Sequence, residues 1–306
     1  MEFIKPGTKI DFLGIRRFAF GLSGLVIAAS IISVILHGGL NYGIDFAGGT
    51  LVQVKFSQPT QVEAIKENLA SIGLDRSLVQ RFGERGENEY LIRVEKSVSD
   101  LGGLSGQIEA TLREAYGKDG VEVRRTEMVG PKVGEDLRKK GILAIVYALI
   151  GILIYITWRF ESFIFALGAV VALAHDVMIT VGAFSIANKE FTLPIVAAIL
   201  TIIGYSLNDT IVVYDRIREN RRKMRREPFA NIINSSINET LSRTLLTSLT
   251  TLIVVIILFI FGGGVIHDFA FALMVGVLVG TYSSIFVASP IILTWQERRQ
   301  REGRLP

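Results

Sequence analysis

Long apolar stretches dominate the pattern of this chain, and they occur as blocks rather than at the spacing of a soluble core. A bilayer core about 30 Å thick is crossed by roughly 20 helical residues, and six runs approach or exceed that length. The runs are 18–36, 142–158, 163–187, 191–214, 245–265 and 269–295. The pattern predicts a polytopic α-helical membrane protein with six transmembrane helices.

The segment between the first and second runs, residues 38–140, follows a different pattern. Alternating apolar positions predict strands, and apolar residues at helical spacing predict two helices, the first with Thr60 and Glu63 at capping-box spacing. The strands are expected at 50–56, 78–82, 90–94 and 120–128, and the helices after Pro59 and over 104–116. The order β-α-β-β-α-β predicts an α+β ferredoxin-like domain.

Glycine-rich segments flank this domain on both sides. Glycine permits positive φ and close backbone approach, whereas proline stiffens the chain. The segments are consistent with plain turns and equally with hinges on which the domain swings. The hinge interpretation names Gly48, Gly49, Gly130, Pro131 and Gly134.

Charge placement predicts the topology. The chain is 50% hydrophobic and has a net charge of +4, with seven basic residues between positions 216 and 226. The positive-inside rule then places both termini and this basic loop in the cytoplasm. A basic loop in that position favours contact with membrane lipid rather than nucleic acid. The expected order is a cytoplasmic N-terminus 1–17, helix 1 at 18–37, an extracytoplasmic domain 38–140, helices 2–4 at 141–213, a cytoplasmic loop 214–242, helices 5–6 at 243–295 and a cytoplasmic tail 296–306.

The fourth run carries a carboxylate and an amide where neither is easily solvated. An ionisable group at membrane depth usually faces a bundle interior or a water-filled cavity. Asp209 and Asn208 fall on what helical spacing predicts to be one polar stripe, which also includes Thr201, Gly204 and Tyr205. Arg243 begins the fifth run at a matching depth, so we expect an Asp209–Arg243 ion pair. We therefore expect Asp209, Arg243 and Asn208 to form a proton-conduction site.

Three further polar residues are secondary candidates. His175 and Asp176 interrupt the third run, where a neutral acid can either hydrogen-bond a neighbouring helix or handle protons. Asp215 lies at the cytoplasmic exit of the fourth run, where a structural role is the simpler interpretation.

The sixth run has small residues at four-residue intervals, which predicts a seam of close helix packing, either within the bundle or towards a partner. These positions are Ala272, Gly276, Gly280, Ser284 and Ala288. The chain contains no cysteine, which excludes thiol chemistry and Cys-based metal sites. The outer domain has neither a histidine cluster nor a nucleophile–base pair nor a phosphate-binding loop, so we expect no enzyme, no metal site and no cofactor.

Five ordered motifs resemble the SecF family of protein-export membrane proteins, within the resistance–nodulation–division superfamily. They are "GIDFAGGT" (43–50), "VGPKVG" (129–134), "AHDV" (174–177), "GYSLNDTIVVYDRIREN" (204–220) and "NETLSRT" (238–244). The resemblance covers essentially the whole chain. It implies six transmembrane helices with one extracytoplasmic ferredoxin-like domain, and it places the family's membrane aspartate on Asp209 and the associated arginine on Arg243.

The resemblance also implies a function and partners. The family's complex of SecD and SecF uses the proton motive force to assist late steps of preprotein translocation across the bacterial cytoplasmic membrane. The implied partners are SecD, the SecYEG translocon, YajC, YidC and the unfolded preprotein. The implied coupling ion is H⁺, with Na⁺ as the alternative.

Two other functions are alternatives to this interpretation. A proton-coupled small-molecule export subunit of the same superfamily would share the bundle, although such pumps usually carry two six-helix halves in one chain. An intramembrane aspartyl protease would use Asp176 and Asp209. The motifs around these residues do not follow the Tyr-Asp and Gly-x-Gly-Asp pattern of such enzymes.

Overall fold

The structure is a computed structural model that describes residues 8–75, 77–82, 86–94 and 101–302, without the side chains of residues 101 and 102. These residues form two compact units. The first comprises the described residues of Met1–Asn41, Ala144–Lys189 and Pro194–Pro306, and the second comprises those of Tyr42–Leu143 and Glu190–Leu193. In chain order the elements are α1 Arg16–Leu36, α2 Ile44–Ala47, β1 Gly49–Phe56, α3 Val62–Ala70, β2 Leu78–Phe82, β3 Glu89–Val94, α4 Leu101–Tyr116, β4 Val121–Val129, α5 Pro131–Phe160, α6 Phe163–Ile186, α7 Leu193–Lys223, α8 Phe229–Phe261, α9 Gly264–Ser283, a π-helical turn Ser284–Ala288 and α10 Ser289–Arg301.

Within the described residues, six helical stretches are long and apolar enough to cross a membrane, which confirms the predicted polytopic α-helical class. They are α1, α5, α6, α7, α8 and the continuous stretch Gly264–Arg301. Several helices continue beyond their apolar runs, since α7 reaches Lys223 and α8 already begins at Phe229. Apolar content shows where a helix can lie in lipid, but the backbone hydrogen bonds continue into the polar residues on either side.

The second unit has the predicted ferredoxin-like topology. Its four-stranded sheet has the order β2-β3-β1-β4 with antiparallel neighbours, so β3 lies between the two strands that α3 connects. Strand β1 alternates buried and half-buried positions from Val52 onwards, with Val52 opposite Ile92 in β3. Its apolar face packs with Ile65 and Leu69 of α3 and Ile108 of α4.

The predicted capping box at the start of α3 is wrong. The helix begins at Val62 with Gln61 as the N-cap residue, and no side chain caps it. Thr60 therefore lies one residue too early, and its hydroxyl donates instead to the Gln58 carbonyl. The Thr60 carbonyl accepts a hydrogen bond from the buried Tyr90 hydroxyl of β3 and so lies outside the hydrogen-bond pattern of the helix.

The glycine-rich segments on either side of the domain pack tightly against each other. Gly48 has φ +77°, and a Cβ there would lie 2.8 Å from Pro131 Cα. A Cβ on Gly134 would lie 3.0 Å from the carbonyl oxygen of Phe46. Phe46 belongs to the short helix α2, which the sequence did not predict. The close approach explains the need for glycine at positions 48 and 134. Motion of these residues as hinges stays a prediction.

The small residues of α9 face α7, which resolves the predicted seam as packing within the bundle. A Cβ on Gly276 would lie 2.3 Å from Ile202 Cγ1, and one on Gly280 would lie 2.9 Å from Ser206 Cβ. Ser284 and Ala288 continue the buried seam through the π-helical turn. Close helix approach of this kind places polar side chains of the two helices within bonding range of shared partners.

Candidate proton-coupling site in the helical bundle

The inward face of α7 carries Asp209. Ile202, Ser206, Asp209 and Val213 are buried and recur at intervals of three and four residues, so they form one helical stripe that faces the other helices. Asp209 is only 2% exposed. The Ser248 hydroxyl of α8 donates a hydrogen bond of 3.4 Å to Asp209 Oδ2. The carboxylate thus lies in an apolar bundle with a neutral donor as its hydrogen-bond partner.

Arg243 lies on α8, five residues before Ser248, and its side chain is exposed. Among the described residues, Arg243 and Asp209 form no ion pair within 4.0 Å, so the predicted direct contact is absent from this conformation. Thr244, next to Arg243, has a buried hydroxyl without a hydrogen-bond partner in the described part of the chain.

The predicted single polar stripe on α7 is wrong, because its members divide between two faces. Asn208 is exposed, as are Thr201 and Gly204. Consecutive helical residues point about 100° apart, so Asn208 cannot share the buried direction of Asp209. Asn208 is therefore on the outer surface of this chain and is not a ligand of the Asp209 carboxylate.

His175 and Asp176 form a second buried polar centre on α6. Asp176 is 1% exposed and His175 is 3% exposed. The hydroxyls of Ser206 on α7 and Ser283 on α9 donate to Asp176 Oδ2 at 2.6 and 2.8 Å. His175 Nδ1 lies 2.9 Å from Asp176 Oδ1. Three helices therefore converge on one carboxylate.

The α9 helix contacts both acidic centres. Thr281 donates a hydrogen bond of 2.7 Å to the Ser248 hydroxyl that is bonded to Asp209, and Ser283, two residues later, bonds Asp176. Sequence reasoning missed these serines and threonines because single hydroxyls are common in membrane helices. Ser206 could have been found, because it lies three residues before Asp209 and so shares its face.

Asp215 lies apart from both centres. Its carboxylate is 42% exposed and accepts a hydrogen bond of 3.1 Å from Arg159, at the end of α5. This contact is that of a surface ion pair. Within the described ranges, no three His, Asp or Glu side chains come together in a way that could hold a metal ion.

These features define a class: multi-pass membrane proteins whose helical bundle encloses carboxylates and whose ferredoxin-like domain is inserted after the first span. Comparison with family models identifies the family to which this chain belongs. The model for the C-terminal part of the protein export membrane proteins SecD and SecF matches residues 107–298, and the model for the SecD/SecF GG motif matches residues 33–60. The chain belongs to the SecD/SecF family of protein export membrane proteins.

Individual relatives agree with this assignment. The chain is 53% identical to protein translocase subunit SecF of Magnetococcus marinus over 99% of its own length and 97% of the relative's. It is 41% identical to protein translocase subunit SecF of Escherichia coli O157:H7, over 98% and 92% of the two chains.

Solved structures show the same fold. The crystal structure of SecDF, a translocon-associated membrane protein from Thermus thermophilus, is similar with a TM-score of 0.85 at 37% identity. A SecDF structure in the super-membrane-facing form gives a TM-score of 0.72 at the same identity. The first match covers 95% of the present chain but only 39% of that SecDF chain. It therefore spans nearly all of a SecF subunit and less than half of SecDF.

Proposed function

We propose that this protein works as the SecF-type subunit of a complex with a SecD-type partner, in the bacterial cytoplasmic membrane. The complex would assist late steps of preprotein translocation at the SecYEG translocon, with YajC and YidC as further partners. The relatives named translocase subunit SecF and the SecDF structures support the role in translocation and the SecD partner. In the proposed topology both termini are cytoplasmic and the ferredoxin-like domain is extracytoplasmic.

The observation that carries the proposed proton coupling is the burial of Asp209 with a hydroxyl partner and, among the residues that the structure describes, without a cation within 4.0 Å. A carboxylate in this setting can gain a proton without losing an ion pair. Arg243 lies on α8, the helix that also carries Ser248, and its positive charge would attract the ionised carboxylate. We propose that protonation releases this attraction and that proton release restores it, so the helices that carry the two residues change their packing.

The available energy is sufficient for such a cycle. Moving one elementary charge across the membrane potential yields about 2.3 kcal/mol per 100 mV. A coupling of about 1–3 kcal/mol is typical between two sites that share a conformational equilibrium. One proton can therefore bias the bundle between two arrangements, and the outer domain would follow on its glycine-rich segments. H⁺ is the proposed coupling ion, and Na⁺ is the alternative.

The test is Asp209→Asn in the complex with its SecD partner, reconstituted in vesicles with an unfolded preprotein. We expect proton flux and preprotein release to fall to background, because asparagine cannot exchange a proton. Asp215→Asn is the matched comparison on the same helix, and it should keep most of both activities because Asp215 is an exposed partner of Arg159. Full proton flux in Asp209→Asn would contradict the proposal, and replacing the H⁺ gradient by a Na⁺ gradient identifies the ion.

A further inference from the structure

The His175–Asp176 centre has a hydrogen-bond pattern that the mechanism above does not use. Asp176 accepts from the two hydroxyls of Ser206 and Ser283, and its other oxygen faces His175 Nδ1. The carboxylate therefore has three potential hydrogen-bond donors, and an ionised carboxylate can accept from all three. With Asp176 ionised, Nδ1 of His175 carries a proton and donates it.

The other ring nitrogen of His175 faces a chain of hydroxyls. Nε2 lies 3.1 Å from Ser23 Oγ of α1, and Ser23 Oγ lies 3.1 Å from the Tyr282 hydroxyl of α9. The Tyr282 hydroxyl donates its proton to the Ala19 carbonyl at 2.8 Å. The Tyr282 oxygen therefore remains free to accept, and the Ser23 hydroxyl has two acceptors from which to choose.

Two proton occupancies satisfy these contacts equally well. When His175 is neutral, the Ser23 hydroxyl donates to Nε2. When His175 carries a second proton on Nε2, that N–H donates to Ser23 Oγ and the Ser23 hydroxyl turns to donate to Tyr282. The centre can thus hold one proton more or one proton fewer while every heavy atom keeps its place and every hydrogen bond on the ring is kept. A buried group that changes charge usually loses hydrogen bonds, and this one does not.

We propose that His175 and Asp176 form a second proton-exchanging site of the bundle, with the Ser23 hydroxyl as its switch. The proposal extends the proton coupling proposed for Asp209, and its evidence is independent of that residue. The groups that face the pair are the hydroxyls of Ser23 on α1, Ser206 on α7, and Tyr282 and Ser283 on α9. The nearest further carboxylate along these elements is Asp209, three residues after Ser206.

The position of the site suggests how it communicates with Asp209. Ser206 and Asp209 share the inward face of α7, and Ser283 and Thr281 of α9 bond Asp176 and the Ser248 hydroxyl respectively. A change of charge at His175 would therefore act on α7, which carries Asp209, and on α9, which bonds its partner Ser248. Ser23 adds α1 to the same network.

The chain has only three histidines, which makes the proposal directly testable by NMR. The chain would be labelled with ¹⁵N-histidine and reconstituted with an unlabelled SecD-type partner, and His175→Gln would assign the His175 signals. We expect Nδ1 to stay protonated while both the bare and the protonated form of Nε2 are observed as the pH is varied. A His175 signal that keeps one form at every pH at which the complex stays folded would overturn the proposal.

Ser23→Ala tests the switch itself, because it removes the group that satisfies Nε2 in both states. We expect the ratio of protonated to bare Nε2 at a given pH to fall at least about tenfold, because a charged N–H left without an acceptor costs more free energy than a neutral ring nitrogen left without a donor. Ser23→Thr keeps the hydroxyl and should retain the wild-type ratio, even if the alanine variant folds poorly. Ser185→Ala is the matched control, since Ser185 also joins α6 to α1, through Ser33 at 2.9 Å, without touching a titratable group.

The outcomes separate this proposal from the proposed function. An effect of Ser185→Ala as large as that of Ser23→Ala would show general loosening of the α1–α6 contact and would count against the switch. If His175 exchanges a proton but Asp209→Asn still conducts, the second site stands and the proposed role of Asp209 fails. If Asp209→Asn is inactive and His175 keeps one form, the reverse holds.

Discussion

Both units of this protein bury an aliphatic core, but they differ in the polar side chains that are buried with it. The core of the ferredoxin-like domain consists of aliphatic residues with Phe56 and Tyr90, and the tyrosine hydroxyl is bonded to the Thr60 carbonyl. The helical bundle buries an aliphatic cluster as well, but it also encloses His175, Asp176 and Asp209. Many large apolar side chains of the bundle point outward, and Phe18, Trp158 and Phe261 are each more than 70% exposed.

The difference follows from the solvent that each unit is expected to meet. In water, burying apolar area stabilises the fold by about 25 cal/mol per Å², so the domain collects its apolar residues inside. In lipid, apolar side chains gain little from leaving the surface, and helix association depends more on close packing and hydrogen bonds. The bundle interior can therefore include ionisable side chains, whereas apolar burial is the main source of the stability of the domain.

Among substitutions that test this comparison, we expect those of Asp176 to have the largest effect on the free energy of unfolding. In Asp176→Leu the imidazole of His175 and the hydroxyls of Ser206 and Ser283 lose their shared acceptor in a buried place. We expect a loss of about 3–5 kcal/mol in the free energy of unfolding of the bundle, measured by denaturant unfolding in detergent. Asp176→Asn keeps an acceptor oxygen and should cost clearly less. Equal losses in the two variants would show that packing, not hydrogen bonding, stabilises this centre.

A somewhat smaller effect is expected from a cavity in the domain core. Ile108 of α4 is fully buried among aliphatic neighbours. Ile108→Ala should lower the stability of the domain by about 2–5 kcal/mol, through lost burial and the cavity that remains. Hydrogen exchange of the β1 and β3 amides measures this loss. Unchanged exchange would mean that the domain interior is not the source of its stability.

The smallest effect is expected on the domain surface. Glu109 and Arg113 form an i,i+4 ion pair of 2.7 Å on α4, with both side chains partly exposed. Glu109→Gln should change stability by only about 0.2–0.5 kcal/mol, because water and salt screen such a pair. The measurement is the same exchange experiment as for Ile108→Ala at low and high salt. A loss above about 1 kcal/mol would break the contrast between surface charge and buried core in this domain.

The sequence predicted the fold well where the signal is local. The alternation in β1 and the helical spacing of Ile65 and Leu69 identified the domain, because side-chain periodicity depends only on the element that carries it. The apolar blocks identified the six spans for the same reason. The start of α3 was missed, because Tyr90, thirty residues away along the chain, bonds the Thr60 carbonyl and so competes with local capping.

The candidate site was predictable only in part. Asp209 stands out because a carboxylate in an apolar run needs an explanation, but its actual hydrogen-bond partner, Ser248, lies on another helix. Matching depth favoured Arg243, and depth alone cannot tell which way a side chain points around a helix. The same limitation placed Asn208 on the wrong face. Partners such as Ser23 and Ser283 become visible only when the helices are packed together.

The π-helical turn Ser284–Ala288 determines which changes in length the last helix can accept. The Ser289 hydroxyl donates a hydrogen bond of 2.9 Å to the Ser284 carbonyl. The turn between them is one residue wider than an α-helical turn. Such a turn is equivalent to a one-residue insertion into a regular helix. Losing one residue here would turn everything downstream by about 100° and carry Glu297 away from its partner Arg16. Homologues of this protein should therefore keep the residue count of this turn.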